Sequence, residues 1–377
     1  MGEGKQGRSR SRIGPVTGKR PFTLGIAIPP NPPVADVYRA LDLAETLGVE
    51  VCSTWDHLVE FTAAPEGAAD DRPAPFEHQA LLGALAARAV DVRIGVGVTE
   101  FIRRHPVIVA QSFITLAHLA RHPPILGIGA GEQANTQPYG LRFASPVDRL
   151  EEGLQIVRDC LDGRVPLKID GRAFDLRDAP FDLRPPAGRT PELWVGGRGP
   201  RMRALAGRFG DGWYPADLAD PDTYAAGIAS VQDAAGACGR DPDTVLPAGE
   251  LVVYAVEDEA ATPEVLRSDD ARLTGLLLGA DLWRAAGLSH PFGESSRGFV
   301  DHDPARVTRG VLASVPPELV ARHVLAGTPR VIAERLVALR AAGMSHATLS
   351  FGAIRDAASA EIVGEVVHAI RDRTSGD

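Results

Sequence analysis

The 377-residue sequence predicts an α/β fold, a (β/α)8 TIM barrel with insertions. Two patterns support this prediction. Amphipathic helical segments repeatedly end at a glycine, as at Gly48, Gly210 and Gly343, where a left-handed backbone can end the helix. A short strand rich in β-branched or aromatic residues follows each of these glycines. Eight such strands alternate with helices along the chain, and a doubly wound parallel sheet is the alternative that this alternation allows.

Each element can be placed on the chain by its hydrophobic period. Strands are predicted at residues 22–28, 49–55, 92–99, 124–130, 193–196, 212–215, 245–256 and 346–351. The clearest helices are predicted at residues 34–47, 106–120, 147–161 and 329–342.

Other segments interrupt or precede this alternation. Insertions are expected near residues 58–75, 162–190 and 257–315, the second as a proline-rich hairpin and the third with a lid at 289–298. Residues 1–21 carry Lys and Arg among Gly and Ser, which predicts a disordered basic tail. Residues 22–377 are then expected to form one barrel domain.

The composition excludes several function classes. A net charge of -9 argues against a nucleic-acid surface, so the expected partners are small molecules. No run of about 18 apolar residues predicts a membrane span. Cys52, Cys160 and Cys238 form no metal-ligand spacing, which predicts no metal site and a reducing, cytoplasmic location. Abundant Ala, Arg, Gly and Pro with little Asn or Lys are typical of a high-GC source, and we expect an actinobacterial one.

In such a barrel the chemistry lies in the loops that follow the carboxyl ends of the strands. Asp56 and His57 directly follow the second strand. A histidine there can exchange a proton near neutral pH, and a neighbouring carboxylate can orient it. The structural alternative is that Asp56 caps the next segment while His57 packs against Trp55.

The fourth strand leads into the sequence LGIGAGEQAN, residues 126–135, which approximates a dinucleotide-binding loop. That motif needs a glycine three positions after its second glycine, but Glu132 stands there and no helix follows, so the dinucleotide interpretation fails. The glycines could instead let a flat ring approach the backbone, with Glu132 and Asn135 facing into a pocket. The alternative is an ordinary barrel turn with an exposed glutamate.

Two other strand ends carry weaker signals. Gly197, Arg198 and Gly199 precede a helix predicted to begin near Pro200, a pattern that suits an anion site but also an ordinary tight turn. Glycines inside the third strand predict a bulge or the close approach of a ligand. Residues 103–105, Arg-Arg-His, are expected to lie on the surface at the start of the next helix.

Several segments in one order resemble the bacterial luciferase-like superfamily of flavin and deazaflavin oxidoreductases. They are STWDHL, GVGVTEFIRRHPVIVAQSFITLAHL, ILGIGAGEQANTQPYG, VDRLEEGLQIVRDCL and ELWVGGRGPRMRALAGRFGDGWYPA. Within it they are most similar to the branch that uses coenzyme F420, and there to the mycobacterial phthiodiolone ketoreductases. The resemblance covers about residues 22–372. It implies a (β/α)8 barrel and a homodimer.

The resemblance also implies roles for particular residues. Asp56 and His57 match an Asp-His pair whose histidine serves in proton transfer beside the deazaflavin. Glu132 matches an acid near N1 of the ring, and Asn135 matches a polar contact to the ring. A bulge with a non-proline cis peptide backs the ring in this family, and here it would fall at Val96-Gly97 or Gly97-Val98.

The cofactor tail and the substrate side are assigned in the same way. Gly197, Arg198 and Gly199 match the phosphate-binding backbone, although related sequences often have a Gly-Gly pair where Arg198 and Gly199 stand. Arg322 lies near a basic residue that some relatives use on the cofactor tail. From their position around the sixth strand, Trp213 and Tyr214 are expected to line the substrate side.

These observations predict a coenzyme F420-dependent oxidoreductase that transfers hydride between deazaflavin C5 and a carbonyl or secondary alcohol substrate. His57 would be the acid/base at the substrate oxygen, with Glu132 as the second catalytic group. The alternatives are an FMN-dependent luciferase-like monooxygenase and a non-catalytic cofactor-binding protein. The pairs Asp56-His57 and Glu132-Asn135 favour the deazaflavin.

Overall fold

Eight parallel strands close into a barrel in the computed structural model, which describes residues 20–59, 74–352 and 354–374. Around the barrel the strands follow chain order, and the last strand pairs with the first. This closure excludes the doubly wound sheet. The barrel strands are β1 (Thr23–Ala27), β2 (Val51–Thr54), β3 (Arg93–Thr99), β4 (Ile125–Ile128), β7 (Glu192–Gly196), β8 (Gly212–Tyr214), β9 (Leu246–Ala255) and β11 (His346–Ser350).

Within the part of the chain that the structure describes, three further strands lie outside the closed barrel. β5 (Leu167–Asp170) and β6 (Asp175–Ala179) form an antiparallel hairpin within the segment predicted as the second insertion. β10 (Leu325–Gly327) extends the sheet by pairing in parallel with the end of β9.

Thirteen α-helices are present in the described residues. They are α1 (Val34–Leu47), α2 (His78–Arg88), α3 (Pro106–Leu119), α4 (Pro146–Asp162), α5 (Pro200–Phe209), α6 (Pro221–Ala237), α7 (Thr262–Val265), α8 (Asp269–Leu276), α9 (Ala280–Ala285), α10 (Arg309–Ala313), α11 (Pro317–His323), α12 (Pro329–Ala341) and α13 (Ala357–Thr374).

The sequence predictions match these elements closely. Every predicted barrel strand is present, with ends that differ by at most two residues, and the four predicted helices differ by at most one. Gly48 and Gly343 adopt φ of 64° and 105°, as a left-handed helix end requires. Gly210 is different, because it ends α5 with φ of -75°. A Cβ at Gly210 would lie 2.8 Å from the Ala206 carbonyl oxygen, so close packing requires the glycine there.

The third predicted insertion is a helical unit with its own apolar core. It holds α7 to α10 and the short 3-10 helix Gly298–Asp301, and Trp283 is buried at its centre. Trp283 Nε1 donates to the Gly275 carbonyl oxygen at 3.1 Å. Most of the predicted 58–75 insertion and nearly all of the predicted basic tail lie outside the described residues.

Strand alternation divides the barrel residues into two sets. One set faces the helices and belongs to the main core, and the other forms a small cluster inside the barrel that includes Val51, Ile125, Trp194, Tyr214 and Ala248. Among the described helices, none combines the length and apolar character that a membrane span requires. The described residues also hold no group of three or more His, Cys, Asp or Glu side chains placed to hold a metal ion.

Candidate active site

Asp56 is the buried centre of an ionic network at the carboxyl ends of β2 and β3. Its side chain is 3% exposed, and the Thr99 hydroxyl donates to Oδ2 at 2.6 Å. Arg103 and Arg104 place guanidinium nitrogens 2.8 and 2.7 Å from the same oxygen, and His78 Nδ1 lies 3.1 Å from Oδ1. Burial acts to raise the pKa of Asp56, but the nearby His78 ring and the two arginines hold it below its usual range. Asp56 is therefore a stable anion.

The position of the two arginines corrects the sequence analysis, which expected them on the surface. The side chains of Arg103 and Arg104 are 7% and 18% exposed, and Arg103 Nε also donates to Glu100 at 2.6 Å. His105 does lie at the start of α3, where its Nδ1 accepts from the Val107 amide at 3.2 Å. Two arginines soon after a strand end lie on the same barrel rim as Asp56, a signal that sequence reasoning could have used.

His57 lies beside this network with its ring packed between aromatic groups. The ring centroid is 6.2 Å from that of Trp55 and 5.9 Å from that of Phe299. Burial lowers the pKa of His57 to about 3, with Arg103 and His302 acting in the same direction and Asp56 opposing them. The prediction from the sequence that His57 titrates near neutral pH does not agree with this lowered pKa. In this structure His57 is a neutral imidazole at neutral pH.

Glu132 follows β4 on the same rim. Burial raises its pKa to about 7, while the hydrogen bond from Asn135 and the charge of Arg103 oppose that rise. Asn135 Nδ2 donates to Glu132 Oε2 at 3.3 Å. Near neutral pH the Glu132 carboxyl is therefore present in both protonated and ionised forms.

Asn135 joins the loops that carry His57 and Glu132. Its side chain is fully buried, and its Oδ1 accepts from the backbone amide of Leu58, next to His57, at 2.7 Å. Its amide nitrogen contacts Glu132. The two predicted catalytic residues are thus held on neighbouring loops by one amide side chain.

The glycines of β4 serve the packing of β3. The Gly97-Val98 peptide is cis, at one of the two positions that the resemblance implies, and the register with β4 shifts between Val96 and Thr99. A Cβ at Gly127 would lie 2.1 Å from the Val96 carbonyl oxygen, and one at Gly129 would lie 2.9 Å from Val98. The prediction from the sequence was that these glycines let a flat cofactor ring approach the backbone. In the structure these two glycines admit the bulged strand.

Beneath this bulge, Tyr214 and Glu250 meet inside the barrel. The Tyr214 hydroxyl donates to Glu250 Oε2 at 2.9 Å. Burial raises the pKa of Glu250 to about 7, with the Tyr214 hydrogen bond opposing the rise and the charge of Asp217 adding to it. The sequence analysis missed Glu250, although a lone glutamate within an apolar barrel strand was a usable signal.

Trp213, unlike its neighbour Tyr214, faces the helices that surround the barrel. It is fully buried, its Nε1 donates to the Gly197 carbonyl oxygen at 3.0 Å, and its ring packs 5.3 Å from Tyr224 of α6. Strand alternation explains this position, because neighbouring residues of β8 face opposite sides. The expectation that Trp213 lines the substrate side does not agree with this packing, whereas Tyr214 faces the barrel interior.

The loop after β7 leads into an uncapped helix. Gly197 has φ of 107°, and α5 begins at Pro200 with no side-chain cap from Gly199. Burial lowers the pKa of His323, at the end of α11, to about 4, and Arg198 and Arg322 act in the same direction. Arg198, Arg322 and His323 are thus close enough to interact, and the start of α5, which no side chain caps, suits an anion.

Residues of the third insertion cover the site. The Gln133 amide donates to the Val300 carbonyl oxygen at 2.9 Å, next to the Phe299 ring that packs on His57. The covering contacts fall just after the predicted lid at 289–298. The Gln133–Val300 hydrogen bond holds this segment against the β4 loop. Because Phe299 of the same segment packs on His57, the segment shapes access to His57.

Comparison with known proteins agrees with this architecture. A family model described as luciferase-like monooxygenase matches residues 14–346. A phthiodiolone/phenolphthiodiolone dimycocerosates ketoreductase from Mycobacterium kansasii is 33% identical over 287 residues, covering 74% of this chain and 78% of that protein. The resemblance drawn from the sequence motifs is confirmed.

Two solved structures share the fold. An F420-dependent secondary alcohol dehydrogenase in complex with an F420-acetone adduct aligns with a TM-score of 0.76 and 21% identity, covering 93% of this chain and all of that one. A coenzyme F420-dependent tetrahydromethanopterin reductase from Methanopyrus kandleri aligns with a TM-score of 0.74 and 18% identity, covering 93% and 99%. At these identities the likeness concerns the fold alone.

Proposed function

Because the chain belongs to the luciferase-like monooxygenase family, we propose that it is an oxidoreductase that transfers hydride between coenzyme F420 and a carbonyl or secondary alcohol substrate. The relatives named above are oxidoreductases by their descriptions, and two of them are described as F420-dependent. One observation carries the proposal. Asn135 ties the loop of a neutral imidazole, His57, to the loop of Glu132, a carboxyl that exchanges its proton near neutral pH.

The residues on this rim fit such a cofactor. Gly197, Arg198 and Gly199 would hold the phosphate of its tail, since the start of α5 offers uncapped amides and a Cβ at Gly199 would meet no atom within 4 Å. Arg322 would add positive charge there. Val96, Gly97 and Val98 would back the ring. When bound, the deazaflavin supplies the hydride at C5.

The protein's own groups would orient the substrate and manage its proton. With its pKa lowered to about 3, His57 is a poor proton store, and we assign it a hydrogen bond to the substrate oxygen. Glu132, with a pKa of about 7, would hold the exchangeable proton. Asp56 would act indirectly, by fixing the loop of His57 through Arg103 and Arg104. Phe299 would exclude water above the imidazole.

An FMN-dependent monooxygenase is the second candidate, favoured by the description of the matching family. The purified protein should be titrated with coenzyme F420 and with FMN, and the visible absorbance of each followed with a panel of ketones and secondary alcohols. Our proposal predicts substrate-dependent oxidation or reduction of F420. Substrate-dependent oxygen consumption with reduced FMN, above its spontaneous oxidation and without turnover of F420, would support the monooxygenase. Binding without turnover would support a non-catalytic cofactor-binding protein.

A further inference from the structure

A chain of polar side chains runs through the barrel interior below the candidate site. His346 Nδ1 lies 2.8 Å from the Thr23 hydroxyl, and its Nε2 lies 3.0 Å from the Thr348 hydroxyl. Thr348 also hydrogen-bonds Tyr214, which in turn donates to Glu250 at 2.9 Å. Barrel interiors are usually filled by branched apolar residues, and buried polar groups are costly unless they are hydrogen-bonded. Glu250, the last residue of this chain of contacts, is therefore an unusual residue for a barrel interior.

The upper end of this chain touches the strand bulge. A Cβ at Gly97 would lie 2.9 Å from Tyr214 Cε1 and 3.1 Å from Glu250 Oε2, so these two side chains fill the space beneath that glycine. Gly97 belongs to the cis peptide that, under the proposed function, backs the cofactor ring. Other groups that act on Glu250 are the Tyr214 hydroxyl and Asp217, whose own charge is offset by Arg198.

We propose, on the premise of the proposed function, that Glu250 is a positioning residue of the cofactor site whose charge sets how tightly the reduced cofactor binds relative to the oxidised one. Hydride uptake adds two electrons and one proton, so the ring gains one negative charge until it takes up a second proton, and an ionised carboxylate behind the Gly97-Val98 peptide would oppose that added charge through Coulomb repulsion. Burial brings the pKa of Glu250 to about 7, so this charge appears within the physiological pH range. The reduced form then binds less tightly as pH rises through that value.

The test is a titration of the protein with oxidised and reduced coenzyme F420, read by absorbance or fluorescence at about pH 6 and about pH 8. Glu132 titrates in the same range, so the comparison is made in a Glu132→Gln background. Burial raises the pKa of Asp217 to about 6, so Asp217 is kept unchanged in every variant compared. We expect the Kd of the reduced form, relative to the oxidised form, to rise about tenfold between the two pH values. Adding Glu250→Gln should abolish this rise. Glu257→Gln, an exposed glutamate just after β9, is the matched control and should preserve it.

A second variant separates an electrostatic role from a merely structural one. The Tyr214 hydrogen bond lowers the pKa of Glu250, so Tyr214→Phe should move the midpoint of the pH dependence upward. A structural role alone would change the Kd at every pH and leave the midpoint in place. A pH dependence that Glu250→Gln leaves intact would overturn this inference alone. A wild-type protein that does not bind F420 would overturn the proposed function together with it.

Discussion

Arg103 and Asp56 form a buried ion pair that joins the end of β2 to the segment after β3, with Nη2 of the arginine 2.8 Å from Oδ2 of the aspartate. The same guanidinium donates to the Asp56 carbonyl oxygen at 2.7 Å and to Glu100 at 2.6 Å. The ion pairs of Arg103 with Asp56 and Glu100 therefore fix the rim that carries His57, and they neutralise its buried charges.

Removing this arginine should destabilise the fold. Arg103→Ala leaves Glu100 buried without its cation and Asp56 with Arg104 as its remaining arginine, and breaking a buried pair typically costs about 3–5 kcal/mol in the free energy of unfolding. Chemical denaturation would measure the change. Arg88→Ala is the control, because it removes the exposed Arg88–Asp42 pair at 2.7 Å and should leave stability nearly unchanged. Equal effects of the two substitutions would contradict the prediction.

Glu132→Gln should remove the proton that we assign to this side chain. Under the proposed function, kcat for carbonyl reduction should fall by about 10²–10⁴-fold. At saturating reduced cofactor, where its binding does not limit the rate, wild-type kcat should decline as pH rises above about 7, where the carboxyl with that pKa ionises, and the variant should lose this decline. Glu361→Gln, on the exposed side of α13, serves as the control. A pH profile that is the same in wild type and Glu132→Gln would rule out the assignment.

His57→Ala tests whether the imidazole orients substrate or stores a proton. We expect kcat/KM to fall about 10–100-fold because a hydrogen bond to the substrate oxygen is lost. The shape of the pH profile between about pH 5 and 8 should persist, since a group with a pKa of about 3 does not titrate there. If the substitution removed an ionisation near pH 6.5, His57 would instead be the proton store.

Gly127→Ala tests the packing of β4 against the bulge of β3. The new methyl group would lie 2.1 Å from the Val96 carbonyl oxygen, a contact that the backbone can relieve only by moving. We expect a loss of about 3 kcal/mol or more in the free energy of unfolding, at the upper end of overpacking costs. Gly199→Ala is the comparison, since its methyl group meets no atom within 4 Å and its φ of -63° suits alanine. Unfolding by urea would show whether the two variants differ as expected.

The architecture was predictable because local signals agree with the barrel. Apolar strands, helix-ending glycines such as Gly48, and a repeated helix–strand alternation all specify the same order of elements. The rule that loops after the strands carry chemistry then placed His57 and Glu132 on one rim. The placement of the candidate site at the carboxyl ends of the strands follows from the geometry of the barrel. The bulge near Gly97 follows from the family resemblance.

Properties that depend on distant contacts were not predictable. The lowered pKa of His57 comes from burial, to which Phe299 contributes across more than half of the chain. The pair Arg103 and Arg104 was a usable signal of charge on this rim, but no local pattern identifies Asp56 as the partner to which Arg103 turns inward. Trp213 and Tyr214 are neighbours with opposite orientations, and a three-residue strand gives too little alternation to decide which one faces inward.

The cover over His57 comes from the helical unit that follows β9, whereas the groups beneath it come from β2, β3 and β4. Selection can therefore reshape the entrance by lengthening or trimming that unit, while the barrel and its charges stay as they are. Descendants of one ancestral catalyst could in this way acquire different substrates.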